Sequence, residues 1–158
     1  MTSEELQEEI KLELDFIGIA VTEAIAIYQD LGNREPTIRD KTAAAAFMAQ
    51  FYGGLENILK RIHRYYSVPL PSGDTWHIDI FKRFCNPALA GLPTLFDEQM
   101  ALDLAPFRAF RHVVYHSYGF QLDWDRMRDG LKTLQSLYSR LNAVLDSFID
   151  STTSPSNG

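Results

Sequence analysis

Cysteine is all but missing from this chain. Cys85 stands alone among 158 residues, so no intrachain disulfide can form, and a lone small thiol near a helix end reads as structural. No apolar run approaches the roughly 20 residues needed to span a bilayer. The opening stretch, MTSEELQEEIKLELD, is acidic and polar where a secretory signal would be basic and then apolar. A cytoplasmic protein without membrane contact is therefore expected. There is no Gly-rich phosphate loop, no internal repeat, no sustained strand alternation and no Ser-His-acid arrangement. The four histidines, His63, His77, His112 and His116, lack carboxylate or thiolate companions at ligand spacing, so neither a metal nor a cofactor is expected. Cations are in the minority as well. Fifteen Lys and Arg against 21 Asp and Glu give a formal charge of −6, which does not suit a general nucleic-acid coat and confines any RNA site to a local patch.

What is present is helical periodicity. With 46% hydrophobic and 12% aromatic residues, the chain can build one sizeable core. From Glu4 to Leu31, apolar residues recur at steps of three and four, and Leu12, Phe16, Ile19 and Ile27 widen that stripe until it has two surfaces to bury. Gly32 ends this helix, and Pro36 suits the first turn of the next, which runs to Tyr65 with Ala45, Ala49, Tyr52, Leu59 and Ile62 on one face. Gly53 and Gly54 within it allow a close crossing. Its end, Lys60 to Tyr66, gathers cations and aromatics. That cluster reads either as charge complementing a helix C-terminus or as an RNA-backbone patch. Asp74 is expected to cap a short helix carrying Trp76, Ile80 and Phe84, with His77 a surface or capping residue. A fourth helix follows Thr94-x-x-Asp97, and Pro106 is expected to break or restart it. Asp123 and Asp125 open a last helix with Met127, Leu131, Leu134, Tyr138, Leu141, Leu145 and Phe148 in its stripe. The fold expected is all-α: an up-and-down four-helix bundle with a short extra helix, formed by residues 1–150, and a disordered polar tail, STTSPSNG, over 151–158.

The chemistry concentrates in Phe107 to Trp124, FRAFRHVVYHSYGFQLDW, where Arg111, His116 and Tyr118 spell R-x4-H-x-Y. A guanidinium grips phosphate oxygens with a planar fork and keeps its charge. An imidazole exchanges a proton near neutral pH. Residues five apart point to different sides of a straight helix. For the two to converge, Gly119 is expected to act as a left-handed C-cap, with Ser117 and Tyr118 as a relaxed last turn that brings His116 towards Arg111. Arg108, Arg111, His112 and Tyr115 lie near one another by i+3 and i+4 spacing, which makes Arg108 and His112 candidate substrate-binding or auxiliary groups. The plainer alternative makes Arg111 a solvated charge, His116 a core histidine and Tyr118 a packing ring.

The motif Arg111-x4-His116-x-Tyr118, at the end of one apolar helix with a long helix after it, resembles the HEPN superfamily, most closely its HepT-like branch. The resemblance implies a dimerising helical bundle and a metal-independent endoribonuclease built on Arg111 and His116. It also implies a toxin role, opposed by an MntA-like nucleotidyltransferase that attaches AMP to the motif tyrosine, here Tyr118. The chain departs from the family at one place: His112 follows the motif arginine where a small polar residue, often Asn, is usual. The RNA 2′-hydroxyl can attack its own phosphate, so Arg and His alone suffice for such a reaction. His116 would serve as base or acid and Arg111 would stabilise the transition-state charge. The second proton-transfer group would come from His116 of a second subunit or from His112. Two other classes remain: a catalytically silent module that binds a nucleotidyltransferase, and a structural helical adaptor.

Overall fold

In the computed structural model, described over residues 1–153, five α-helices and one 3-10 turn account for all the regular structure apart from an isolated bridge between Cys85 and Phe96. The helices are α1 (Ser3–Leu31), α2 (Ile38–Tyr65), α3 (Trp76–Lys82), α4 (Glu98–His116) and α5 (Trp124–Thr153), and the 3-10 turn is Gly119–Gln121. This is the expected all-α bundle with a short third helix. No helix among the described residues is long and apolar enough to cross a membrane. α5 continues to Thr153, into the segment expected as tail; residues 154–158, the rest of that expectation, lie outside the described residues.

The helix starts are set by local chemistry. Thr2 with Glu5 and Thr37 with Asp40 form reciprocal capping boxes, so α2 begins after Thr37, just beyond Pro36. Asp97 caps α4 by accepting from the Met100 amide at 2.8 Å, and Asp123 accepts from the amides of Asp125 and Arg126 at the start of α5. Asp74 does not cap α3. Thr75 occupies that place, its hydroxyl turned to Asp79. Pro106 neither breaks nor restarts α4, which passes through it unbroken as one helix.

α2 is the central helix, touching α1, α3, α4 and α5. Phe51, Tyr52, Leu55, Ile58, Leu59 and Ile62 are fully buried, meeting Leu6, Ile10, Ile17 and Ile80 in one continuous core. Gly54 marks the closest approach to α1, since a Cβ there would run into the Ile17 side chain; Gly53 has room for one. α1 packs on both α2 and α5, and of the residues that widen its stripe Ile27 lies against the core, whereas Leu12, Phe16 and Ile19 remain exposed.

Packing withdraws two members of the basic cluster at the end of α2, while Arg64 and Tyr66 stay exposed. Arg61 is bound to Glu9 and Glu13 at 2.9 Å each, and His63 is completely buried. His63 Nδ1 donates to the Leu59 carbonyl at 2.8 Å, its Nε2 lies 3.3 Å from Arg83 Nη1, and its ring meets the edge of Phe84. Burial holds this imidazole below its ordinary pKa; Arg83 adds to that and the Leu59 carbonyl opposes it. The unfolded chain therefore takes up a proton near the usual value of about 6.5 that the folded chain resists. This stability is complete above that pH and drains as pH falls towards the lower folded value. Thermal melts between pH 7 and 5.5 should show a declining midpoint, and His63→Gln should flatten the decline. An unchanged slope in that variant would exclude His63 as its source.

Candidate functional site

Three helices converge on one buried carboxylate. Glu56, on α2, is only 2% exposed, although it sits in the apolar stripe one turn after Tyr52. A carboxylate at that depth is costly unless it is paired. The pairing comes from α3 and α4: His77 Nδ1 lies 2.6 Å from Glu56 Oε2, and Arg111 Nε lies 2.8 Å from Oε1. The arginine contact is a close charge pair rather than an aligned hydrogen bond, since neither Nε nor Oε1 meets hydrogen-bond geometry. Arg111 Nη1 also stands 3.3 Å from His77 Nδ1. The Arg111 side chain as a whole is 22% exposed; its Nε is buried and its guanidinium carbon lies 4.8 Å from the centre of the Tyr115 ring. Tyr52 adds a buried hydroxyl with no hydrogen-bond partner among the described residues, and burial raises its pKa.

The motif histidine goes elsewhere. α4 stays regular through His116 and ends at Ser117, whose backbone is extended. At 3.6 residues per turn, five residues carry His116 about 140° around the axis from Arg111 and about 7.5 Å along it. Its ring lies against His112 instead, centroids 4.5 Å apart, and both are exposed. Gly119 is not the expected left-handed cap. It has no positive φ and opens the 3-10 turn, where a Cβ would collide with Thr42 at the start of α2. The relaxed turn expected to bring His116 round to Arg111 is therefore not formed. Arg108 also leaves the cluster, its guanidinium 5.7 Å from the Phe81 ring.

Tyr118 lies beyond the helix end and is 71% exposed, its ring stacked almost parallel to that of Phe120 at 5.6 Å. Its amide donates to Gln121 Oε1 at 2.9 Å, which fixes the start of the 3-10 turn.

Two residues of this cluster were not expected from the sequence. Glu56 carries a signal there, a carboxylate at helical phase within the stripe of Tyr52, Leu59 and Ile62. His77, expected at the surface or in a cap, carries none, because only the fold brings α3 to α4. A groove of about 840 Å³ between α4 and α5 lies away from the cluster. Pro106, Ala109, Phe110, Val113 and Leu122 line part of it, whereas Arg111, His116 and Tyr118 do not.

A family model described as HepT-like protein matches residues 43–152, which takes in most of α2 and everything from α3 almost to the end of α5. No curated protein and no solved structure gives a significant match.

Proposed function

The chain belongs to the HepT-like family of the HEPN superfamily, and from that premise we propose that it is a metal-independent endoribonuclease toxin that acts as a dimer. The observation that carries the reading is Arg111, a guanidinium held by buried Glu56 on a side chain that stays partly exposed. A cation fixed in this way is suited to a phosphate whose charge grows in the transition state. The RNA 2′-hydroxyl attacks the adjacent phosphorus, and the 5′-oxygen leaves. His116 transfers a proton at one of these two oxygens.

Because Arg111 and His116 diverge within one chain, the dimer has a chemical role: it sets His116 of one subunit against Arg111 of the other. The surface of α4 supports this. Ala109 and Val113 form an apolar face with Pro106, and His116 borders it by helical phase. Apolar groups left open in this way favour a second copy. Arg108 and His112 serve as auxiliary contacts to RNA.

The test is a defined RNA incubated with purified protein in excess chelator. Cleavage should persist and leave a 2′,3′-cyclic phosphate and a 5′-hydroxyl. Activity lost in chelator and restored by magnesium would refute the mechanism.

The opposing partner in this reading is an MntA-like nucleotidyltransferase that adds AMP to Tyr118. Exposure and a position outside any helix make that phenol reachable, and the added phosphodiester brings a negative charge and a bulky base to the site. Co-expression with the cognate transferase should place the modification on Tyr118 by mass spectrometry, with activity falling as modification rises. Tyr118→Phe should keep fold and cleavage and escape silencing. Modification found on Tyr115, which is also exposed and lies beneath the Arg111 guanidinium, would move the regulatory role there.

A further inference from the structure

We propose that His77 is the general base of this reaction, oriented by Glu56 and working beside Arg111 within the same chain; the assignment rests on the ribonuclease reading above. The side chain on α3 is built for the task. A carboxylate oxygen at 2.6 Å accepts the Nδ1 proton, which fixes the tautomer and leaves the Nε2 lone pair free. Nδ1 points at a carboxylate that is 2% exposed, so Nε2, across the ring, faces away from the core; the side chain as a whole is 32% exposed. Trp76 lies against the imidazole at 3.5 Å between centroids and fixes its plane, and Lys60 Nζ sits 4.6 Å from the Trp76 ring. A carboxylate, an imidazole held by it through Nδ1 and a cation at its side form the same orienting logic as a carboxylate-histidine dyad in acyl transfer.

The other histidines do not offer this. His63 is buried against a backbone carbonyl and Arg83, and His112 and His116 lie against each other, about 100° and about 140° around the helix axis from Arg111. Of the four, only His77 has a ring nitrogen close to the Arg111 guanidinium: its Nδ1, held by Glu56, lies 3.3 Å from Nη1, which places the imidazole, and with it Nε2, beside the arginine.

His77 Nε2 takes the proton of the 2′-hydroxyl, whose oxygen bonds to phosphorus while Arg111 faces the equatorial oxygens. The bond from phosphorus to the 5′-oxygen breaks, and that oxygen takes a proton from the His116 imidazolium. The products are a 2′,3′-cyclic phosphate and a 5′-hydroxyl. Exchange with water returns both imidazoles to their starting states.

The experiment compares wild type, His77→Ala, His77→Gln and His116→Ala in chelator. Two substrates are used: one RNA, and the same RNA with sulfur replacing the 5′-oxygen at the cleaved bond, a leaving group that needs no proton. His77→Ala and His77→Gln should both slow RNA cleavage by roughly 10²–10⁴ and slow the sulfur substrate by a similar factor. The Gln variant keeps a donor for Glu56 and so controls for folding. His116→Ala should regain most of its loss on the sulfur substrate. Added imidazole should restore part of the His77→Ala rate, a response that a merely structural histidine would not give. Full-speed RNA cleavage by either His77 variant would overturn the proposal, as would their rescue by the sulfur leaving group. Absence of imidazole rescue together with a lowered melting temperature would reassign His77 to the fold. A wild type that leaves RNA intact in chelator removes the ribonuclease reading and this one with it, whereas an active wild type beside fully active His77 variants removes this one alone.

Discussion

Replacing Arg111 with alanine should slow RNA cleavage by roughly 10²–10³, the usual loss when one donor to a transition-state charge is removed, and should also destabilise the fold. The second effect follows from where the guanidinium sits. Glu56 is 2% exposed and shares its charge between Arg111 and His77. Removing one partner of a buried pair typically costs about 3–5 kcal/mol, and the lower end applies here because His77 remains beside the orphaned carboxylate. A double-mutant cycle separates the two losses. Arg111→Met combined with Glu56→Leu removes both charges, so the melting midpoint should recover most of the way while cleavage stays lost. If Arg111→Ala melts like the wild type, the pair does not hold the fold. If the double variant cuts RNA, Arg111 is not the phosphate group.

His116→Ala should give a comparable or larger loss of rate, roughly 10²–10⁴, with no change in melting temperature. The imidazole is exposed, its ring contact is with His112, and no backbone group depends on it. Truncation therefore leaves no cavity and no buried polar orphan. In a dimer with shared sites, mixing inactive His116→Ala with inactive Arg111→Ala should restore part of the activity. Mixed dimers then hold one site with an intact arginine and an intact histidine. Activity unchanged in His116→Ala would leave the R-x4-H-x-Y pattern as an accident of helix composition.

The contrast between these two residues shows where the sequence can be read and where it cannot. Gly32 after the first stripe, Asp97 and Asp123 ahead of the last two helices, the three-four stripes and the absence of strand alternation are local signals, and the helices follow from them closely. Pro106 misled because one proline in a packed helix removes a single backbone bond, a cost that burial of Phe107 and Leu104 on the same helix outweighs. Gly119 misled for another reason. Glycine is needed there for its missing side chain, against Thr42, rather than for a left-handed backbone.

The sequence by itself determined the helices, the single core and the family motif at Arg111, His116 and Tyr118, because each is written in residues near one another along the chain. The tertiary structure alone decided what Arg111 touches. Glu56, His77 and Arg111 are 21 to 55 positions apart, and they meet because α2 crosses both α3 and α4. The same packing tied Arg61 to α1 and enclosed His63, leaving Lys60 and Arg64 as the accessible cations of a stretch that looked continuous along the chain. Periodicity records which side of a helix is covered. Which buried charge finds which partner depends on helix crossings, and those are fixed by the fit of whole surfaces.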